Sequence, residues 1–212
     1  ISGVPVSIDA PDAISVVVLS DINIEVRLTS DGSPLSGREV YFYIRLGDGW
    51  HLIGSNTTDS DGYTLLCLEN VSYSIGPHRL AVVFKGDTTY RKEIRFISLN
   101  VRRRSTRIEV LGPTSILDSG EYILVRVEDE YGNPYITRVS IVVGEYRFEG
   151  LTNSSGIAKV WVSLPPGTYS ARAIAHETEY NSLNETIFTL TIIDDDDSGP
   201  MVEVLEYPTE IK

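Results

Sequence analysis

Polar and apolar residues alternate along most of this chain with a period of two. In Ile22-Asn23-Ile24-Glu25-Val26-Arg27-Leu28 the apolar side chains Ile22, Ile24, Val26 and Leu28 share one face and the polar ones share the other. That is the pattern of a strand packed on one side and wetted on the other. The runs SVVVL, INIEVRLTS, REVYFYIRL, YTLLCLE, HRLAVVFKG and IRFISLNV are β-branched or aromatic and are bounded by Gly, Pro, Asp and Asn, which predicts strands joined by tight turns. No window sustains a helical period. The chain is expected to be all-β.

The second half repeats the first in order. SDGSPLSGREVYF (30–42) corresponds to DEYGNPYITRVSI (129–141), and each contains a Gly-x-Pro turn before a strand. Gly32 and Gly132 can take positive φ, while Pro34 and Pro134 fix the chain beyond them. TDSDGYTLL (58–66) corresponds to TNSSGIAKV (152–160), a polar turn ending in Gly. GPHRLAVVFKGDTTY (76–90) corresponds to PGTYSARAIAHETEY (166–180), with a loop closing on Tyr90 or Tyr180. Each repeat holds about seven short strands in roughly 90 residues, a density that argues for two antiparallel sheets around one apolar core.

These landmarks, taken in order, resemble the immunoglobulin-like (Big-type) repeats of bacterial and archaeal cell-surface proteins. Neither Trp50 nor Trp161 is flanked by the cysteines of the antibody-type core. The expected fold is therefore two tandem Ig-like antiparallel β-sandwich domains, residues 1–101 and 106–193, followed by an acidic hinge and an extra strand, 194–212. The resemblance implies stalks, adhesins, S-layers and filaments, and no single activity.

The extra strand is a third start. PMVEVLEYP (200–208) shares an [IV]-E-V-L core and a closing proline with STRIEVLGP (105–113), and PVSIDAP (5–11) is a looser relative. Two readings stand. The chain stops a few residues into a further repeat, or Met201, Val202, Val204, Leu205 and Tyr207 complete the sheet of a neighbouring subunit. Head-to-tail donation of that kind builds an open filament.

Composition narrows the partners. A formal net charge of −12 disfavours nucleic acid, and the basic run Arg102-Arg103-Arg104 falls at the expected domain junction. No apolar run approaches the roughly 20 residues that span a membrane, so no direct insertion is expected from this segment. The chain starts at Ile1 without a signal-peptide pattern, which fits a processed form or an excerpt. Four N-x-[ST] sequons, at Asn56, Asn70, Asn153 and Asn184, exceed the roughly one or two that chance would give. They favour a glycosylated, extracellular protein at a cell surface.

Chemistry finds little foothold. The single Cys67, in TLLCLENV, reads as an inert buried strand residue. His51, His78 and His176 lack ligand spacing, and no nucleophile elbow or phosphate loop occurs. No catalytic residue and no cofactor are expected. Asp194-x-Asp196-x-Ser198-Gly199 matches the front half of a calcium loop, but the final bidentate position would fall on Leu205. The alternatives are a Ca²⁺ held by Asp194, Asp196 and Ser198, or a solvated acidic linker. Asp59-Ser60-Asp61-Gly62 reads as a turn, because its counterpart Asn153-Ser154-Ser155-Gly156 lacks both carboxylates. Trp50 beside a Gly-Asp-Gly turn could stack on a sugar ring, whereas Tyr41, Tyr43 and Trp161 read as strand packing. The expected role is structural, with self-association or neighbouring Ig-like repeats as partners. The alternative is an adhesin or a module that binds protein or surface polysaccharide.

Overall fold

The computed structural model describes residues 3–197. The chain divides into two compact units between Arg104 and Ser105. Unit 1 contains β1 (Ser7–Asp9), β2 (Ala13–Val17), β3 (Ile22–Ser30), β4 (Ser33–Pro34), β5 (Glu39–Leu46), β6 (Gly49–Thr57), β7 (Tyr63–Leu68), β8 (Gly76–Phe84) and β9 (Glu93–Arg102). One sheet joins β1 and β7 to opposite sides of β3, with β4 folded back on its end; the other runs β2-β9-β8-β5-β6. The alternation read in β3 is realised: Ile22, Ile24, Val26 and Leu28 are buried. They pack with Phe42, Ile44, Leu80, Val82, Ile97 and Leu99 from the facing sheet, giving the two-layer apolar core of a sandwich.

Unit 2 repeats this plan with β10 (Thr106–Gly112), β11 (Ser115–Leu117), β12 (Glu121–Asp129), β13 (Arg138–Val143), β14 (Tyr146–Leu151), β15 (Ile157–Val162), β16 (Gly167–Ala175) and β17 (Asn184–Ile193). Its sheets run β10-β12-β15 and β11-β17-β16-β13-β14. The counterpart of β4 is reduced to one bridge, Glu128 to Pro134. Both units are Ig-like β-sandwiches, antiparallel apart from the edge pairs β2–β9 and β11–β17, which are parallel. Inward positions of β16 carry Ala171, Ala173 and Ala175 where β8 carries Leu80, Val82 and Phe84, so the two cores share a topology and differ in how they are filled.

The short motifs acquire physical roles. A proline follows the first strand of each repeat because that segment changes sheets there. Pro11 separates β1, paired with β3, from β2, paired with β9; Pro113 separates β10 from β11 in the same way. Proline has no N–H for a ladder, so it suits the break between two pairings. In the polar turns, Thr58 Oγ1 donates to the Leu35 carbonyl at 2.6 Å and accepts from the Arg38 N–H at 2.9 Å. Thr152 donates to the Tyr135 carbonyl at 2.8 Å and accepts from Thr137 N–H at 2.7 Å. Asp59 Oδ1 accepts from the N–H groups of Asp61 and Tyr63, and Asn153 Oδ1 from those of Ser155 and Ile157. Either side chain can make such a turn. The closing glycine is needed for space: a Cβ at Gly62 would lie 2.5 Å from the Leu28 carbonyl oxygen, and one at Gly156 would lie 2.4 Å from that of Val127.

Two sequence expectations are corrected. Cys67 is exposed, because the register of β7 turns Thr64 and Leu66 inward and puts Cys67 on the outer face beside Leu65. The third landmark pair is offset by one residue, since Gly76 lies opposite Val101 as Gly167 lies opposite Ile192. Tyr90 accordingly matches Asn181 rather than Tyr180: Asp87 caps the N–H of Tyr90 in one loop, and Thr178 caps that of Asn181 in the other. Tyr41, Tyr43 and Trp161 lie on outward strand positions, away from the core sides of their sheets.

Candidate binding surface

The outward face of the five-stranded sheet in unit 1 is apolar where such a face is usually polar. Cross-strand pairing arranges it in rows. Leu52, Tyr43, Ala81 and Phe96 form one, Trp50, Arg45, Arg79 and Ser98 a second, and Tyr41, Val83 and Ile94 a third. Ala81 is the small residue in the middle. Around it opens a groove of about 470 Å³, lined by Tyr43, Trp50, Val83, Ile94 and Phe96, with Lys85 and Lys92 also contributing. Trp50 is 40% exposed and Phe96 42%; their ring centroids are 5.8 Å apart.

The aim of Trp50 comes from the β5–β6 hairpin, which pairs it with the outward Arg45 and pairs Leu52 with the outward Tyr43. The β5–β6 register shifts between Phe42 and Tyr43, which face Gly54 and Leu52. Ile53 is left over and packs against the core, while Leu52 and Trp50 take the outward side. A bulge takes up one extra residue in this way. Gly54 lies on the inward side, where a Cβ would come within 2.6 Å of Leu66.

Cations frame the groove. The Arg79 guanidinium carbon stands 4.1 Å from the centre of the Phe96 ring, and Lys85 Nζ 3.4 Å from that of Tyr41, both in the range where ring quadrupoles attract cations. Tyr41 donates its hydroxyl to Glu39 at 2.6 Å. That bond, together with one from Ser55, holds the Glu39 carboxyl below its ordinary pKa, and the same bond raises that of Tyr41. Glu39 is therefore engaged at the end of the face, and the groove itself presents ammonium groups.

Unit 2 serves as an internal comparison. Arg172 stands in the place of Ala81, with Ile187 opposite it on β17, and its guanidinium pairs with Glu185 at 3.4 Å. Arg147 and Glu149 form a further pair at 3.6 Å. The position of the groove is thus filled and ion-paired, with Ile187 left exposed beside it, so the groove in unit 1 is not a by-product of the fold. On the opposite sheet of unit 2, Tyr122 and Trp161 meet edge to face at 4.9 Å. Trp161 lies over Gly120, where a Cβ would be 2.6 Å from its ring. This aromatic pair packs on itself.

One pairing brings together groups with catalytic associations. Ser140 Oγ is 2.7 Å from His176 Nε2, a spacing shared by nucleophile–base pairs. Ser140 is fully buried; it donates to Glu149 at 3.2 Å and accepts from Arg147 at 3.3 Å. The hydroxyl is closed in by its partners. Burial, then the charges of Arg138 and Arg147, lower the pKa of His176, which keeps the imidazole neutral.

The remaining predicted sites fall as follows. Asn56, Asn70, Asn153 and Asn184 are all exposed. Asn56 Nδ2 donates to the Leu65 carbonyl at 3.0 Å and Asn184 Nδ2 to that of Thr106 at 2.6 Å, whereas Asn153 uses its Oδ1 in the turn. Asp194 Oδ1 accepts from the Asp196 N–H at 2.9 Å, capping a 3₁₀ turn, Asp195–Asp197. Among the described residues no group of three His, Cys, Asp or Glu could hold a metal ion. Ser198, Met201, Val202, Val204, Leu205 and Tyr207 lie outside the described residues. No described helix is long and apolar enough to cross a membrane. The groove was the feature that sequence reasoning missed; the Trp50 stacking alternative was its one visible sign.

No family model matches the chain, and no curated protein matches it. Similar solved structures include the fibronectin(III)-like modules of CbhA from Clostridium thermocellum, 17% identical with a TM-score of 0.38 over 98% of this chain and 100% of that one. The bacterial integrin-binding protein invasin is 15% identical with a TM-score of 0.45 over 90% of this chain, which spans 39% of invasin. The D0-D1 domain of intimin is 16% identical with a TM-score of 0.33, over 86% and 97% of the two chains. Likeness of this degree assigns neither a ligand nor an activity.

Proposed function

We propose that this chain is a non-enzymatic module of an extracellular cell-surface assembly, acting through an exposed sheet face that binds a macromolecular partner. The observation that carries this reading is the difference between two copies of one fold. Unit 1 leaves an aromatic and aliphatic face open around Ala81, and unit 2 fills the same position with Arg172 and Glu185. Open apolar patches of this kind mark interaction surfaces in soluble proteins. The exposed sequons support a glycosylated outer surface. Within this reading, an S-layer, stalk or filament component and an adhesin are the finer assignments. Polymerisation through residues 200–208 is a separate contribution, removable by ending the chain at Asp197.

The test uses intact producing cells. Proteases added outside should release peptides of this chain, and immunogold labelling should decorate the cell exterior. Purified, labelled chain should rebind stripped surfaces, and the Trp50→Ser/Phe96→Ser variant should rebind at least about tenfold less well, the loss expected on removing anchor aromatics. Labelling confined to the cell interior, or rebinding indifferent to both substitutions, rejects the proposal.

A further inference from the structure

Resting on the surface-assembly reading, we infer that the groove of unit 1 docks the acidic second half of another copy of this chain. The charge distribution points to that occupant. Residues 1–104 carry 11 Lys and Arg against 12 Asp and Glu, whereas residues 105–212 carry 7 against 18. Nearly all of the chain's excess negative charge thus belongs to its second half. The cations Arg45, Arg79, Lys85 and Lys92 gather on or around the one open apolar face described in unit 1. Two of the chain's four lysines flank this groove.

The groove's chemistry selects protein over sugar. Its floor is Ala81, Val83 and Ile94, which offer no side-chain hydrogen bonds, and its polar atoms come only from Tyr43, Trp50, Lys85 and Lys92, few for a pyranose that presents a hydroxyl at nearly every carbon. An apolar floor with ammonium groups at the rim matches an apolar side chain flanked by carboxylates. Unlike patches meeting in this way make a heterologous contact, which leaves one groove and one acidic half unsatisfied at the ends and so extends into a chain of subunits. Opposite charges raise the encounter rate and fix the register; apolar contact keeps the pair together.

The full 212-residue chain tests this by analytical ultracentrifugation across a concentration series, in buffers of ~20 mM and ~500 mM NaCl. The expected result is a weight-average mass that keeps rising past the dimer at low salt, with association at least about tenfold weaker at high salt. Lys85→Glu/Lys92→Glu and Trp50→Ser should each leave a monomer. Ala81→Arg fills the groove with the residue that unit 2 carries at the same place, so it should fold normally, by circular dichroism and melting, and still abolish association. A wild-type monomer at every concentration overturns the inference. So does association that survives all three variants and disappears when the chain ends at Asp197, which assigns the contact to strand donation. A monomer whose tryptophan fluorescence shifts with polygalacturonate, and no longer does so in Trp50→Ser, overturns it in favour of a sugar site. Surface labelling of cells is read independently, so a failed docking contact is distinguishable from a failed surface assignment.

Discussion

Gly62 and Gly156 are where a single methyl group is expected to do the most damage. Each has positive φ, 81° and 72°, and each would drive a Cβ into a strand carbonyl oxygen. Gly62→Ala and Gly156→Ala should cost about 2–3 kcal/mol each. Each should lower the calorimetric transition of its own unit by on the order of 10 °C. His176 gives a pH-dependent counterpart. Its folded-state pKa lies below the ordinary 6.5, so between the two values the unfolded chain binds more protons than the folded one. Stability present above pH 6.5 is therefore lost as the pH falls through that window. Unit 2 should melt progressively lower on acidification below 6.5, and His176→Gln should flatten that dependence in a melting series. The motif T-[DN]-x-x-G was legible as a repeated turn from residue types alone. That its threonine joins two loops and its glycine abuts a carbonyl was not, because both partners come from distant parts of the chain.

At the scale of elements, the central strands were legible because burial on one side imposes a period of two, as in β3 and β5. The strand β6 was not foreseen. Its sequence GWHLIGSNT mixes two glycines with polar residues, and the bulge at Ile53 interrupts the alternation on which a sequence reading depends. The groove depends on Trp50 of that unforeseen strand and on the smallness of Ala81, so it was illegible for the same reason. Cys67 shows the other limit: an apolar neighbourhood in sequence does not say which face a residue takes. It should react promptly with a water-soluble maleimide in the folded chain, whereas a core thiol would need unfolding first. The sequons also separate by element. In β6 and at the start of β17, Asn56 and Asn184 already donate Nδ2 to a carbonyl, the nitrogen to which a glycan would attach. Occupancy measured by glycopeptide mass spectrometry should be higher at Asn70 and Asn153 than at Asn56 and Asn184.

For the whole molecule, the repeat fixes architecture and leaves surfaces free to diverge. Two sandwiches of one topology are filled by different side chains, while one outward face is open and cationic and its counterpart carries ion pairs where the groove would be. Because the first segment of each repeat changes sheets at a proline, the entering strand lies parallel to the departing one, β2 beside β9 and β11 beside β17. A tension applied to the two ends of such a sandwich pulls these neighbours in opposite directions along their length. The hydrogen bonds between them are then loaded together in shear, instead of being opened one at a time. Unit 1 has five residue pairs in this clamp and unit 2 has three, so in single-molecule stretching unit 2 should yield first. Val16→Pro, which removes one N–H from the longer clamp, should narrow the gap between the two rupture forces. A protein drawn taut between a cell and whatever it grips would hold longest at the sandwich that carries the open face.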